Sequence, residues 1–268
     1  MPHSITIASG KGGVGKTSIS VNLALMLQKL GKRMTLMDAD FGLANTHILL
    51  GMNAKKSLAD VISLGKPVEE AIEIGPNGVQ LLAGGSGMID LLHMSQADRF
   101  DLVRKMDALA DKTDILLVDA PAGAADSTLD FMAASDRVVV VIVAEPTSFM
   151  DAYALIKASH LERKLQSFSI IVNMENSAVE AQKHFEKFRA ICMRFLDVEL
   201  TFLGNVPMSQ RMRRAVAARK PVLLSSSDTQ TVEHVAFHDI ALRLLSAPQN
   251  INGGIRFFQA ANGTMEQV

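Results

Sequence analysis

Residues Gly10-Lys11-Gly12-Gly13-Val14-Gly15-Lys16-Thr17 fit G-x-x-x-x-G-K-[ST], and they lie between an expected strand and an expected helix. Ser4 to Ser9 is a short apolar run. From Ser18 onward, Ile19, Leu23, Met26, Leu27 and Leu30 share one helical face. This placement constrains the fold, because loop N–H groups surround phosphate oxygens only when a strand and a helix hold the loop at both ends. The glycines let the backbone approach, where a side chain would hold it off. Lys16 is then placed to reach the β- and γ-phosphates of ATP, or the β-phosphate of ADP, and Thr17 to offer a hydroxyl to Mg²⁺.

Beyond the loop, apolar β-rich runs alternate with helical patterns. This predicts an α/β fold of the P-loop NTPase kind, a mostly parallel twisted sheet of about seven or eight strands with helices on both faces. Strands are expected near 4–9, 33–38, 79–83, 114–119, 137–143, 167–173 and 200–206. Helices are expected near 16–31, 90–110, 126–133, 148–165, 178–195, 209–218 and 229–246, with short helical turns between 43 and 73. Arg137 to Val143 shows no polar alternation, which predicts a central strand buried on both sides. One domain over 1–246 is expected, followed by a tail over 247–268 where Pro248, Asn250, Asn252, Gly253 and Gly254 break the pattern.

Composition excludes more than it selects. With 27 basic and 28 acidic residues the formal net charge is −1, so no global positive field calls for nucleic acid and none is expected as a partner. A single cysteine, Cys192, rules out a disulfide framework or a cysteine-ligated metal site built within one chain, and a core thiol is expected. The first strand starts by Ser4 and no apolar run is long enough for a membrane span, so a cytoplasmic location is expected.

Two strand ends carry carboxylates. Asp114 to Val118 leads into Asp119, the form expected of a residue that holds Mg²⁺ beside a phosphate loop, and Ala120-Pro121-Ala122-Gly123 follows as a candidate nucleotide-sensing switch. Leu36-Met37-Asp38-Ala39-Asp40 places two carboxylates two residues apart, so an extended backbone would send both the same way. One would support the metal and the other orient the attacking water. Ligands of open α/β sheets sit beyond the carboxyl ends of the strands, where Asp38, Asp40 and Asp119 would all fall.

Lys11 at the start of the loop resembles the extra lysine of the deviant Walker A motif in MinD/ParA-class P-loop ATPases. The resemblance covers about residues 1–246. It implies an ATP-dependent homodimer in which Lys11 reaches the partner's phosphates, with Asp38 to Asn45 as switch I and Asp119 to Gly123 as Walker B and switch II. It also implies adenine-side roles for Asn173 and for Val206-Pro207, although Met208-Ser209-Gln210 departs from the acidic residue often found there. Ser18 belongs to the same nucleotide-binding segment.

Within that class, Asp38 to Asn45 followed by Ile48-Leu49-Leu50-Gly51, and Glu145 to Lys157, are similar to the flagellar-number regulators of the FlhG (FleN) group. That implies flagellar partners: an FlhF-like GTPase, switch-complex proteins or a flagellar transcription regulator. A weak peripheral membrane contact at the inner face of the membrane or the cell pole is implied through Ile251, Ile255, Phe257 and Phe258 beside Arg256. The segment is short, broken by Gly253-Gly254 and poor in lysine, so a tail that packs on its own domain or is disordered is the commoner expectation. The cluster Arg211, Arg213, Arg214, Arg219 and Lys220 is read as a solvated helix face. His47, His93 and His160 have no metal-ligand spacing. The alternatives are a MinD-like division-site or ParA-like DNA or cargo positioner, and last an amide-forming enzyme such as cobyrinic acid diamide synthase.

Overall fold

The alternation of apolar runs and helical patterns is realised as an eight-stranded sheet in a computed structural model that describes residues 1–42, 44–85, 94–225, 227–250 and 254–260. The strands are β1 (His3–Ser9), β2 (Met34–Asp38), β3 (Ile72–Ile74), β4 (Gln80–Leu82), β5 (Ile115–Ala122), β6 (Arg137–Val143), β7 (Ser167–Asn173) and β8 (Glu199–Val206). They are ordered β3-β4-β2-β5-β1-β6-β7-β8. Every pairing is parallel except β3 with β4. The helices among the described residues are α1 (Lys16–Lys29), α2 (Thr46–Leu49), α3 (Leu58–Ser63), α4 (Gln96–Lys105), α5 (Asp126–Ala134), α6 (Pro146–Arg163), α7 (Ala178–Phe195), α8 (Gln210–Ala217) and α9 (Val232–Ser246).

β6 shows why the sheet needs cover on both faces. Val139, Val141 and Val143 pack with residues of α1 and α9, whereas Val138, Val140 and Ile142 pack with residues of α5, α6 and α7. Successive strand residues point to opposite faces, so an unbroken valine run feeds two cores at once. The strand lies inside the sheet between β1 and β7, as expected. A third cluster, with Leu116 and Val118 of β5, is closed by α3, α4 and Phe131 of α5.

Three elements differ from expectation. Residues 72–74, at the end of the stretch expected to hold short helical turns (43–73), instead form β3, an antiparallel edge strand too short to show a period of its own. β5 runs to Ala122 rather than ending at Asp119, with a register shift against β1 between Ile7 and Ser9. Of the helix expected over 90–110, residues 90–93 and therefore His93 lie outside the described residues. α4 starts after Ser95, whose hydroxyl accepts the Asp98 N–H at 3.2 Å while Asp98 accepts the Ser95 N–H in return.

The tail folds back. Phe257 and Phe258 are buried, the Phe257 N–H donates to the Ala134 carbonyl at 3.0 Å, and its ring stacks on Phe131 at 6.5 Å. Arg256 pairs with Asp136. The aromatic side chains that a membrane contact would use are thus core residues in this conformation, in line with the expectation of a tail packed on its own domain, and Ile255 packs beside them. Ile251 and Gly253 lie outside the described residues. No helix among the described residues is long and apolar enough to cross a membrane.

Candidate functional site

The carboxyl ends of β1, β2, β5, β7 and β8 deliver their following residues to one side of the sheet, and a cavity of about 710 Å³ opens there. Gly12, Gly13, Gly15, Lys16, Thr17 and Ser18 line it from the loop and the start of α1. Asp40 and Asn45 come from the segment after β2, Ala122 from the end of β5, Asn173 from the end of β7 and Pro207 from just past β8. Residues distant in the chain therefore share one wall because of strand order, not proximity in sequence.

The loop is held by close approaches. Gly13 and Gly15 have φ of 81° and 84°, the left-handed region that side-chain-bearing residues rarely adopt. A Cβ on Gly15 would lie 2.4 Å from Asn173 Nδ2, and one on Gly10 would lie 2.2 Å from the backbone of Asp151 in α6. The Asn173 side chain donates from Nδ2 to the Val14 carbonyl at 2.7 Å and accepts the Met174 N–H on Oδ1 at 2.9 Å. Its amide thus ties β7 to the loop and retains a second N–H for the cavity. The Val14 side chain is buried, and the contribution of this residue to the site is its backbone.

Charge is concentrated behind the loop. Lys16 Nζ lies 2.8 Å from Asp119 Oδ1, and the Ser20 hydroxyl donates to the same oxygen at 2.7 Å. Lys16 and Asp119 are 7 % and 1 % exposed, so the pair is desolvated and its geometry is held from several sides. Asp119 Oδ2 is buried with no hydrogen-bond partner, an orphaned acceptor of the kind a cation or its water would satisfy. Asp38 sits opposite Asp119 across the β2–β5 pair. Its carboxylate accepts backbone N–H groups of Asp40, Asn45 and Thr46 and the Thr46 hydroxyl, at 2.8–3.2 Å. Burial, and then the Asp119 charge, nevertheless push its pKa up to about 7.

The expected common direction of Asp38 and Asp40 is therefore corrected. β2 ends at Asp38, the chain turns over its carboxylate, and only Asp40 lines the cavity. Asp38 acts as the peg that gathers Asp40, Asn45 and Thr46. Leu43 lies outside the described residues. Val206 is fully buried at the end of β8 and lies outside the cavity lining, while Pro207 faces it. Lys11 also lies outside the lining: its Nζ contacts Glu145 Oε2 at 3.0 Å and Thr147 Oγ1 at 3.1 Å. Pro121 and Ala125 line a smaller neighbouring cavity of about 280 Å³ with Asp40 and Arg99, next to Ala122-Gly123. Ala120 is buried in β5.

Several site residues carried no signal that the sequence analysis used. Ser20 stands four residues after Lys16 on the same helical face, which i, i+4 spacing could have revealed. Met174 and Met212 line the cavity without any motif to mark them, Met208 lies in the segment expected on the adenine side, and Arg213, expected on a solvated helix face, also lines the cavity. Cys192 is buried as expected, and burial pushes its thiol up to about 12. His47 and His160 are half-buried, and His160 Nδ1 lies 2.8 Å from the Leu165 carbonyl.

Comparison with known proteins agrees with this geometry. Residues 1–245 match the ParA family model, described as "NUBPL iron-transfer P-loop NTPase". The chain is 38% identical over 256 residues to the antiactivator FleN of Pseudomonas aeruginosa, covering 95% of this chain and 91% of that protein. It is 35% identical over 218 residues to the flagellum site-determining protein YlxH of Helicobacter pylori, covering 81% of this chain and 73% of that protein. Among solved structures, the MinC:MinD cell division complex of Aquifex aeolicus superposes with a TM-score of 0.73 at 26% identity, covering 91% of this chain and 96% of that one. With the loop, the buried Lys16–Asp119 pair and the sheet order in place, the chain belongs to the ParA/MinD family of P-loop ATPases.

Proposed function

We propose that this chain is an ATP-dependent dimerising switch that regulates flagellar number and placement. The observation that carries the reading is the single cavity in which loop, Asp40, Ala122, Asn173 and Pro207 converge. The similarity to FleN and YlxH supports the flagellar role.

Each part of the site has a task in this reading. Lys16 and the loop N–H groups bind the phosphates, and Thr17, Ser18, Asn173 and Pro207 complete nucleotide contact. Thr17 and Asp119 would hold Mg²⁺ with Asp38 behind them, a role that the orphaned Asp119 Oδ2 fits. When bound, Mg²⁺ would neutralise phosphate charge. Asp40 orients the attacking water, and Ala120 to Gly123 transmit the nucleotide state. Lys11 leaves Glu145 to reach phosphates of the partner protomer. Such chemistry asks mainly for positioning and charge stabilisation, which suits a slow switch. The family model's iron-transfer description has little to rest on in this chain, because its one cysteine is buried and its thiolate disfavoured.

Partners are flagellar assembly or regulatory proteins, with the protein in the cytoplasm or at the inner membrane face. The test couples light scattering in ATP and Mg²⁺ with flagellar counts in a deletion strain complemented by this chain. Nucleotide-dependent dimerisation with restored flagellar number is expected. Normal flagella with minicells, or with loss of a plasmid or other cargo, would move the assignment to MinD-like or ParA-like positioning.

A further inference from the structure

The apolar part of the nucleotide cavity contains three thioethers. Met174 follows β7, Met208 follows β8, and Met212 lies in α8, so three separate elements deliver a methionine to one wall. Met174 and Met208 are 41% and 45% exposed, and Met212 is half-buried. Among the described residues no aromatic side chain lines the cavity, and the whole chain has 15 methionines, one tyrosine and no tryptophan. A nucleobase entering it would therefore meet sulfur and methylene groups, which pack well against a π-system.

Accessibility makes these sulfurs reactive as well as adhesive. Met174 is held in the left-handed region, φ 59°, with its N–H bonded to the Asn173 side chain, so the element that fixes the loop also sets this thioether. The Arg213 guanidinium lies 3.1 Å from Met208 Sδ. A thioether is a weak acceptor, whereas a sulfoxide oxygen is a strong one, so the same arginine would hold the oxidised side chain more firmly.

We propose that Met174, Met208 and Met212 are a peroxide-sensitive modification site inside the nucleotide cavity, where conversion to sulfoxides lowers the affinity for ATP. The inference rests on the reading of that cavity as the ATP site. A sulfur lone pair attacks one oxygen of a hydroperoxide, the O–O bond breaks, and an S–O bond forms while water or an alcohol leaves. Sulfur loses two electrons and the peroxide gains them. The product places a polar, chiral group where an apolar wall stood, and reductases for methionine sulfoxide can reverse it.

The experiment treats the full chain with hydrogen peroxide, maps sulfoxides by mass spectrometry and measures ATP affinity by calorimetry before and after. Affinity should fall at least several-fold, and sulfoxide reductase should restore it. ATP and Mg²⁺ present during treatment should protect Met174, Met208 and Met212 but not Met150 and Met193, which are exposed and outside the cavity. A Met174→Leu/Met208→Leu/Met212→Leu variant, compared with its own untreated affinity, should show no peroxide effect. A Met150→Leu/Met193→Leu variant should respond as the parent does. Full oxidation of the three residues with unchanged affinity, or an equal loss in the triple variant, would overturn the proposal alone. Untreated protein that binds no ATP would overturn the nucleotide reading and this proposal together.

Discussion

Asp38 and Asp119 are neighbours across β2 and β5, and Lys16 is bonded to Asp119. The raised pKa of Asp38 follows first from its burial and then from the neighbouring Asp119 charge. In metal-free protein the folded state then keeps a proton that the unfolded chain releases near pH 4. The folded state binds more protons between pH 4 and 7, so its stability falls as pH rises through that window, by about 1 kcal/mol per pH unit. Urea unfolding in EDTA at pH 5, 6 and 7 should show a flatter profile for Asp38→Asn than for the parent; identical slopes would remove Asp38 as the titrating group. Asp40, by contrast, faces the cavity, and its loss should spare phosphate contacts. Asp40→Ala should bind ATP yet hydrolyse it about 100-fold more slowly, the lower end of what a positioned acid–base group contributes. Near-normal phosphate release would show that another group orients the water.

Helices α4, α5 and α6 meet at one carboxylate. Asp130 in α5 is 1% exposed and takes Arg99 of α4 on Oδ2 at 2.7 Å and Arg163 of α6 on Oδ1 at 3.0 Å. Arg163 also reaches Asp126 at 3.1 Å, in the first turn of the helix that follows Ala120 to Gly123. Removing the central acid leaves the buried Arg99 guanidinium without its carboxylate, while half-buried Arg163 keeps Asp126 and Glu162, so Asp130→Ala should lower stability by about 3 kcal/mol, the lower end for breaking a buried pair. The urea midpoint should drop accordingly. A change under about 1 kcal/mol would mean that the arginines find other partners. The helices themselves were legible as amphipathic runs, because their periodicity is local. Their junction was not, because Arg99, Asp130 and Arg163 are ordinary surface residue types until the fold buries them.

Across the whole molecule, Lys11 is the residue whose position changes meaning with assembly state. Its contact to Glu145 is between half-exposed groups, worth about 0–1 kcal/mol, so phosphate charge on a second protomer can displace it readily. Lys11→Ala should retain ATP binding in calorimetry and lose ATP-driven dimerisation in light scattering. A full ATP-dependent dimer from this variant would reject the trans role. At the same scale, Phe257 of the tail stacks on Phe131, which meets Phe41 of the segment after β2 edge-on at 6.5 Å. The tail is therefore part of the core that backs the site, and its composition alone left a membrane-facing segment and a packed one both open.

Local patterns were sufficient for the loop, its flanking strand and helix and the central β6, since each depends on neighbours a few residues away; the acids expected at strand ends were found in sequence, but β5 runs on to Ala122 and Asp40 lies beyond β2. The lysine of the loop and the acid of the fifth strand, 103 positions apart, were assigned to the same chemistry by motif, but their buried bond exists only because β5 lies beside β1. Asn173 was expected to face a base; that it also holds the loop through Val14, 159 positions away, follows from where β7 ends. Strand order, the turn over Asp38 and the fold-back of the tail are long-range choices, settled by which apolar faces bury one another, and no short window of sequence contains that information.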